Sequence, residues 1–267
     1  MSLMAKIFEI CDYLNSICPE NLAEEWDNVG FLIGDKKSEV TKIMVCLDVD
    51  LSVAKEACEN KANLIISHHP VIFNPVKRLT EDNEKLLRYL IKNDISVYSA
   101  HTNLDVVSDG LNDLLAKKIG LEKCEILVPT KEFNGKMCGY GRFSKLEKPQ
   151  KLKDVLKNIK QSLGNENLKF SGNEEKIIEY VAVNSGGGSS MMEFCFDKKI
   201  DLYITGDFKY NLIRDAYEND FAIVDAGHYE TEIIAMDWFH EKLTEKFSDI
   251  EIIKSCENKN PVNFLYN

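Results

Sequence analysis

Asn63-Leu-Ile-Ile-Ser-His-His-Pro70 is an apolar run that stops at two adjacent imidazoles and a proline. An uninterrupted apolar stretch this short reads as a strand buried on both faces, the pattern of a parallel sheet covered by helices. Proline disfavours continuation of the ladder, so the carboxyl end of the strand falls at His68 and His69. The chain has 5 histidines in 267 residues, and two together at a strand end are a functional signal. Catalytic and ligand-binding groups of α/β sheets gather at that edge.

The surrounding segments keep the same alternation. Upstream, Ile43 to Asp48 is an apolar strand with an acidic end, and Leu51 to Asn60 a helix. Downstream, Phe73 to Thr80 is a loop with Lys77 and Arg78, followed by a helix near 82 to 92 and a strand from Ile95 to Ala100 that stops at His101. Ile7, Ile10, Cys11, Leu14 and Ile17 share a helical face over residues 4 to 17, with Pro19 ending it. Glu24 to Gly30 is a polar loop with a lone Trp26, leading into a short strand, Phe31 to Ile33. Ser108 is expected to cap a helix carrying Leu111, Leu114, Leu115 and Ile119.

Residues 121 to 136 mix charge with Pro129 and Gly135 and hold few apolar anchors, which places a lobe boundary there. Beyond it the expected order is a strand near 138 to 143, a helix at 150 to 163, and a strand from Ile177 to Val183. The glycine-rich turn Ser185 to Ser190 opens a helix, and a strand from Asp201 to Thr205 ends in Gly206-Asp207. A helix at 208 to 218, a strand from Phe221 to Asp225, the Gly227-His228 corner, a helix at 230 to 246 and a strand near 249 to 253 complete the chain. The division is therefore an N-terminal α/β lobe over 4–125 and a C-terminal α/β lobe over 126–267, interwoven enough to class as one domain.

The two lobes run in parallel. Lys61-Ala-Asn-Leu-Ile-Ile-Ser67 matches Lys199-Ile-Asp-Leu-Tyr-Ile-Thr205, and Asn93 to His101 matches Asn219 to His228 with one inserted residue. His101 and Asp105 then stand opposite His228 and Glu232, while His68 and His69 have Gly206 and Asp207 as partners. A site built from such halves is asymmetric.

Composition sets the outer limits. At 44% hydrophobic and 29% charged residues the chain is an ordinary globular protein, and no apolar run approaches the length of a membrane span. The N-terminus lacks a basic and apolar leader, and Met1 to Leu3 read as a cloning remnant before a native start at Met4. The 8 cysteines are scattered without a CxxC pair, as small hydrophobes are in a reducing compartment, so a cytoplasmic location is expected. A formal charge of -11 argues against a nucleic-acid or membrane surface as partner and leaves a small-molecule ligand open.

Imidazole nitrogen and carboxylate oxygen are the donors that divalent Zn, Fe, Mn, Co or Ni accept together. His228 and Glu232 lie four apart at a helix start, hence on one face. Taken singly, each imidazole reads as a buried hydrogen-bonded side chain, and Glu230 and Glu232 as partners of the helix dipole. Four of the 5 histidines at strand ends with paired acids favour a metal site. Five ligands for two ions require a bridging carboxylate and leave open positions for water or substrate; such a pair activates water, so hydrolysis is the natural reaction class. The turn Ser185 to Ser190 fits neither the dinucleotide nor the Walker pattern and reads as a tight turn. Lys77 and Arg78 read as a phosphate clamp or an exposed cationic loop, Trp26 and Asn28 as pocket lining or core, and His240 as structural.

Trp26-Asp-Asn-Val-Gly30, Ser67-His-His-Pro70, Ser99-Ala-His-Thr-Asn-Leu-Asp105, Thr205-Gly-Asp207 and Gly227-His-Tyr-Glu-Thr-Glu232 together resemble the Nif three-like family, widely labelled GTP cyclohydrolase 1 type 2 homologues, over nearly the whole chain. The resemblance implies two similar α/β lobes with a dinuclear metal site between them and a ring-shaped homohexamer. It implies His68, His69, Asp105, His228 and Glu232 as ligands of two divalent ions, Glu232 bridging, and His101 as a proton-transfer residue. The function expected is a metal-dependent hydrolase of a nucleotide-like or phosphorylated small molecule. The alternative is a metal-holding regulatory or assembly protein without turnover.

Overall fold

Fully apolar strands need both faces covered, and the chain meets that need with two sheets. The computed structural model describes residues 5–80 and 83–265, and the chain divides into two compact units. The proposed remnant Met1 to Leu3 lies outside the described residues. One unit runs up to Leu104 and takes back Ala235–Pro261; the other is Asp105–Ile234 with the residues from Val262. The final helix and strand of the chain thus belong with the first unit.

In the first unit, helix α1 (Ile7–Ile17) buries Ile7, Ile10, Cys11 and Leu14, the expected stripe. It is followed by β1 (Gly30–Ile33), β2 (Ile43–Cys46), α2 (Leu51–Glu59), β3 (Leu64–Ser67), α3 (Lys85–Lys92) and β4 (Ser96–Ser99). Asp50 caps α2 by accepting a hydrogen bond from Val53 N. β2, β3 and β4 are parallel neighbours, and β1 closes the β4 edge as an antiparallel strand. All four residues of β2, β3 and β4 are buried, as doubly covered strands require.

α4 (Thr102–Val106) leads into the second unit, which holds α5 (Leu111–Lys118), β5 (Glu125–Phe133), β6 (Lys136–Lys151), α6 (Leu152–Leu163), β7 (Lys169–Ser171), β8 (Ile177–Val183), α7 (Glu193–Asp197), β9 (Leu202–Thr205), α8 (Tyr210–Glu218), β10 (Ala222–Asp225) and α9 (His228–Glu232). Its sheet has the order β5-β6-β8-β9-β10-β7. The chain ends in α10 (Ala235–Lys246) and β11 (Ile252–Lys254), and β11 pairs in parallel with β2.

The charged stretch 121 to 136 carries the edge strand β5, whose exposed face tolerates its polar residues. Two readings are corrected. Gly110, not Ser108, precedes α5, and the Ser108 hydroxyl donates to Met137 O instead. The helix expected at 230 to 246 is two helices, α9 and α10.

The internal match holds in register. Leu64 lies opposite Ser96 across β3 and β4, and Leu202 opposite Ala222 across β9 and β10, the equivalent pairs of the sequence alignment. Lys61 and Lys199, which enter these strands, both have positive φ (60° and 53°), as do Asp94 and Asp220 (52° and 50°). β7 stands antiparallel to β10 as β1 does to β4. Each unit therefore contains one four-strand motif with the same edge.

Ile65 is wholly buried in β3 among Met44, Val53, Ala57 and Val97. An Ile65→Ala variant is expected to lose roughly 2–5 kcal/mol of stability. A denaturant titration should show a lower midpoint with the slope unchanged.

Candidate metal centre

The first unit gathers its imidazoles where β2, β3 and β4 end. Past Ser67 the backbone still pairs with the residues that leave β2: His68 N donates to Cys46 O and His69 N to Leu47 O. The Ser67 hydroxyl donates to His69 O (2.8 Å) and lies 2.8 Å from the Ser99 hydroxyl, tying the ends of β3 and β4 together. These bonds hold the His68-His69 turn rigid before Pro70.

Each imidazole is then oriented through Nδ1. His68, fully buried, has Nδ1 2.9 Å from Ala100 O. A carbonyl cannot donate, so Nδ1 carries the hydrogen and Nε2 presents its lone pair. His69 Nδ1 lies 2.7 Å from Asp48 Oδ1, and His101 Nδ1 2.9 Å from Asp27 Oδ1. Asp27 also accepts from Thr102 N (3.1 Å) and Oγ1 (2.5 Å). Burial alone would raise the Asp27 pKa; the bonds from His101 and Thr102 outweigh it and hold the carboxyl at about 2. The three rings sit 5.1 to 5.3 Å apart by centroid, with ligand-capable nitrogens within 4.8 Å of one another. His101, read as a proton-transfer group, therefore stands with His68 and His69.

The second unit uses the corresponding edge. Gly227, at φ 88°, turns the chain out of β10 so that His228 opens α9, and His228 Nδ1 lies 2.7 Å from Asp207 Oδ2. His228 Nε2 lies 2.8 Å from Glu232 Oε2, one helical turn on. That bond, more than the opposing burial, raises the His228 pKa to about 9, with Asp207 adding to it. At neutral pH a proton occupies the line between imidazole nitrogen and carboxylate, the place a Lewis acid takes in a metal site. Asp105 and Glu232 are both buried, with a carboxylate oxygen of each within 4.8 Å of the other. Ser185 Oγ donates to Asp105 Oδ1 at 3.1 Å, and Asn112 links Asp105 O to Ser185 N.

The glycine-rich turn lies against a buried carboxylate. Gly186 has φ +58°, and a Cβ there would fall on Glu232 Oε1. Its amide donates to Thr231 Oγ1 (3.0 Å), and Thr205 Oγ1 donates to its carbonyl (3.0 Å). Glycine is required because the backbone lies against the buried carboxylate.

Asp27, Asp48 and Asp207 were not singled out as working residues in the sequence. A signal existed: Asp48 and Asp207 each stand just past the strand beside the one that delivers the histidine they hold, at the same separation of 21 residues. Trp26 is exposed and edge-on to His101 at 6.1 Å, and Asn28 Nδ2 donates to Ile72 O (2.6 Å). Lys77 and Arg78 lie on a separate cleft, and His240 belongs to no described ligand cluster.

The donors of each unit fit divalent metals: in the first, imidazoles held at Nδ1 by oxygen acceptors, and in the second, His228 held by Asp207, with the buried Asp105 and Glu232.

Comparison with known proteins finds relatives over most of the chain. The family model described as "Duf34/NIF3 (NGG1p interacting factor 3)" matches residues 5–261. The chain is 38% identical over 264 residues to a protein of Clostridium perfringens named "GTP cyclohydrolase 1 type 2 homolog", covering 97% of this chain and 100% of that one. A protein of the same name from Clostridium acetobutylicum is 37% identical over 230 residues, 85% of each. Among solved structures, a Bacillus cereus protein related to NIF3 superposes with TM-score 0.92 at 26% identity, over 99% of this chain and 100% of that one. Reduced HcgD from Methanocaldococcus jannaschii gives 0.81 at 32% identity, over 95% and 99%.

The His228 pKa yields a pH dependence. A group raised from an unfolded value near 6.5 to about 9 stabilises the fold fully below 6.5, and that stabilisation is lost as pH rises through 9. Metal-free protein should therefore melt at progressively lower temperature between these limits. Glu232→Gln, which removes the main cause, should flatten the decline in a thermal-unfolding series.

Proposed function

The chain belongs to the DUF34/NIF3 family, and on that premise we propose that it is a dinuclear metal-dependent hydrolase of a nucleotide-like or phosphorylated small molecule. The observation that carries this reading is the common orientation of His68, His69, His101 and His228, each with Nδ1 against an oxygen acceptor. A histidine that ligates a metal is characteristically held at its other ring nitrogen by such an acceptor.

The ligands in this reading are His68, His69, Asp105, His228 and Glu232, with Glu232 bridging, for two ions drawn from Zn, Fe, Mn, Co or Ni. Bound ions of this kind lower the pKa of water and stabilise a leaving oxygen. The side chains do the rest. Asp48 and Asp207 keep His69 and His228 in the Nδ1–H tautomer. Asp27, ionised down to about pH 2, does the same for His101, so His101 Nε2 is the atom that accepts a proton and returns it. Ser185 holds the Asp105 carboxylate, and Asn112 holds the Asp105 backbone. The reading includes a cytoplasmic homohexamer, as the family resemblance implies. The name carried by the curated relatives proposes GTP among the substrates to try.

Metal analysis after supplementation should give about two ions per chain. Asp48→Asn and Asp207→Asn should each weaken ion binding roughly 10–100-fold. His101→Asn should keep the ions but lose about 10²–10⁴ of any hydrolysis found with GTP, other nucleotides, phosphodiesters or cyclic amides. Less than one ion per chain removes the basis of the proposal. Full loading without metal-dependent turnover of any substrate selects the alternative, a metal-holding protein.

A further inference from the structure

The segment that leaves the His69-Pro70 corner does more than connect two elements. Ile72 and Val76 to Leu79 form one wall of a cleft of about 550 Å³, within the usual range for small-molecule sites. Its floor is apolar and belongs to the core: Ile33 on the edge strand β1 and Leu87 on α3, both buried. Ile91, one turn past Leu87 on the same helix face, and Val76 on the loop form the rim; both are exposed. Lys77 and Arg78 line the same cleft. Among the described residues, neither makes an ion pair or hydrogen bond and no carboxylate lines the cleft.

Two adjacent cations at an apolar cavity are unusual on a chain of net charge -11, where neighbouring carboxylates normally pair with exposed Lys and Arg. An apolar cavity alone selects for hydrocarbon. A guanidinium and an ammonium at its rim add a site for one anionic group, which an arginine fork holds in two directed bonds. We propose that this cleft binds a small amphipathic anion, an apolar ring or short chain ending in a phosphate or carboxylate, with the apolar body over Ile33 and Leu87 and the anionic end at Lys77 and Arg78. The site is separate from the histidine clusters and does not depend on their function.

Octyl phosphate, octanoate and octanol, titrated into the full chain below their micelle concentrations and followed by calorimetry, test it. Octyl phosphate and octanoate should bind saturably at one per chain, and octanol at least about ten-fold more weakly. The double variant Lys77→Ala/Arg78→Ala should lose roughly ten-fold or more for the anions while octanol is unchanged. Both residues are exposed, so the melting temperature of this variant should match the parent. Ile91→Glu, at a rim position 52% exposed, should abolish anion binding without unfolding the chain. Octanol binding as tightly as octyl phosphate, or unchanged anion affinity in the double variant, overturns the proposal. Equally, anionic phosphatidylglycerol vesicles that bind through Lys77 and Arg78 when free octyl phosphate does not would assign the cations to a lipid surface and overturn it.

Discussion

An imidazole presents a lone pair in a fixed direction only when its other nitrogen is held, and the functional geometry of this chain depends on that constraint. Nδ1 of His68 is held by a backbone carbonyl, and those of His69, His101 and His228 by carboxylates. Each acceptor is delivered by another element: Ala100 leaves β4, Asp48 follows β2, Asp27 precedes β1, and Asp207 follows β9. The orientation of the histidines is therefore a property of strand order and register, and a slip of one residue between β2 and β3 would separate His69 from Asp48.

The same device appears in both units. In each, three parallel strands with an antiparallel edge bring an acid and a histidine to adjacent carboxyl ends, the pair being 21 residues apart. The devices are offset by one strand: His69 leaves the middle strand and His228 the outer one. Where the first unit has the buried imidazole of His68, the aligned position in the second is Gly206, whose hypothetical Cβ would meet the backbone of His228 and Gly186. That crowding excludes any side chain there, and the related halves cannot carry the same ligands.

Much of the fold was legible in the residues. The apolar strands of both units and the helices over residues 51 to 60 and 150 to 163 followed directly from period and breakers, because strands buried on both faces, such as β2 and β3, carry few polar residues to blur the pattern. Strand β5 was not legible: Pro129, Lys131 and Glu132 lie on an exposed edge, where polar side chains cost nothing and the composition resembles a loop. The membership of β11 was hidden for a different reason. Its partner β2 lies some 200 residues earlier, and nothing in a three-residue apolar strand names the strand it will pair with.

The ligand-type residues were visible in the chain alone, since histidines and acids at recurring spacing are chemically conspicuous wherever they fall. The carboxylates that orient those histidines, the closeness of Gly186 to Glu232, and the cations set over an apolar cleft emerged only from the folded chain. Asp27 is 74 residues from the His101 it holds, and Lys77 and Arg78 meet the β1 strand more than 40 residues away. Spacing along the chain carries information within one turn or one strand pair. Contacts at those separations are made by sheet order and backbone register, which exist only once the strands have packed.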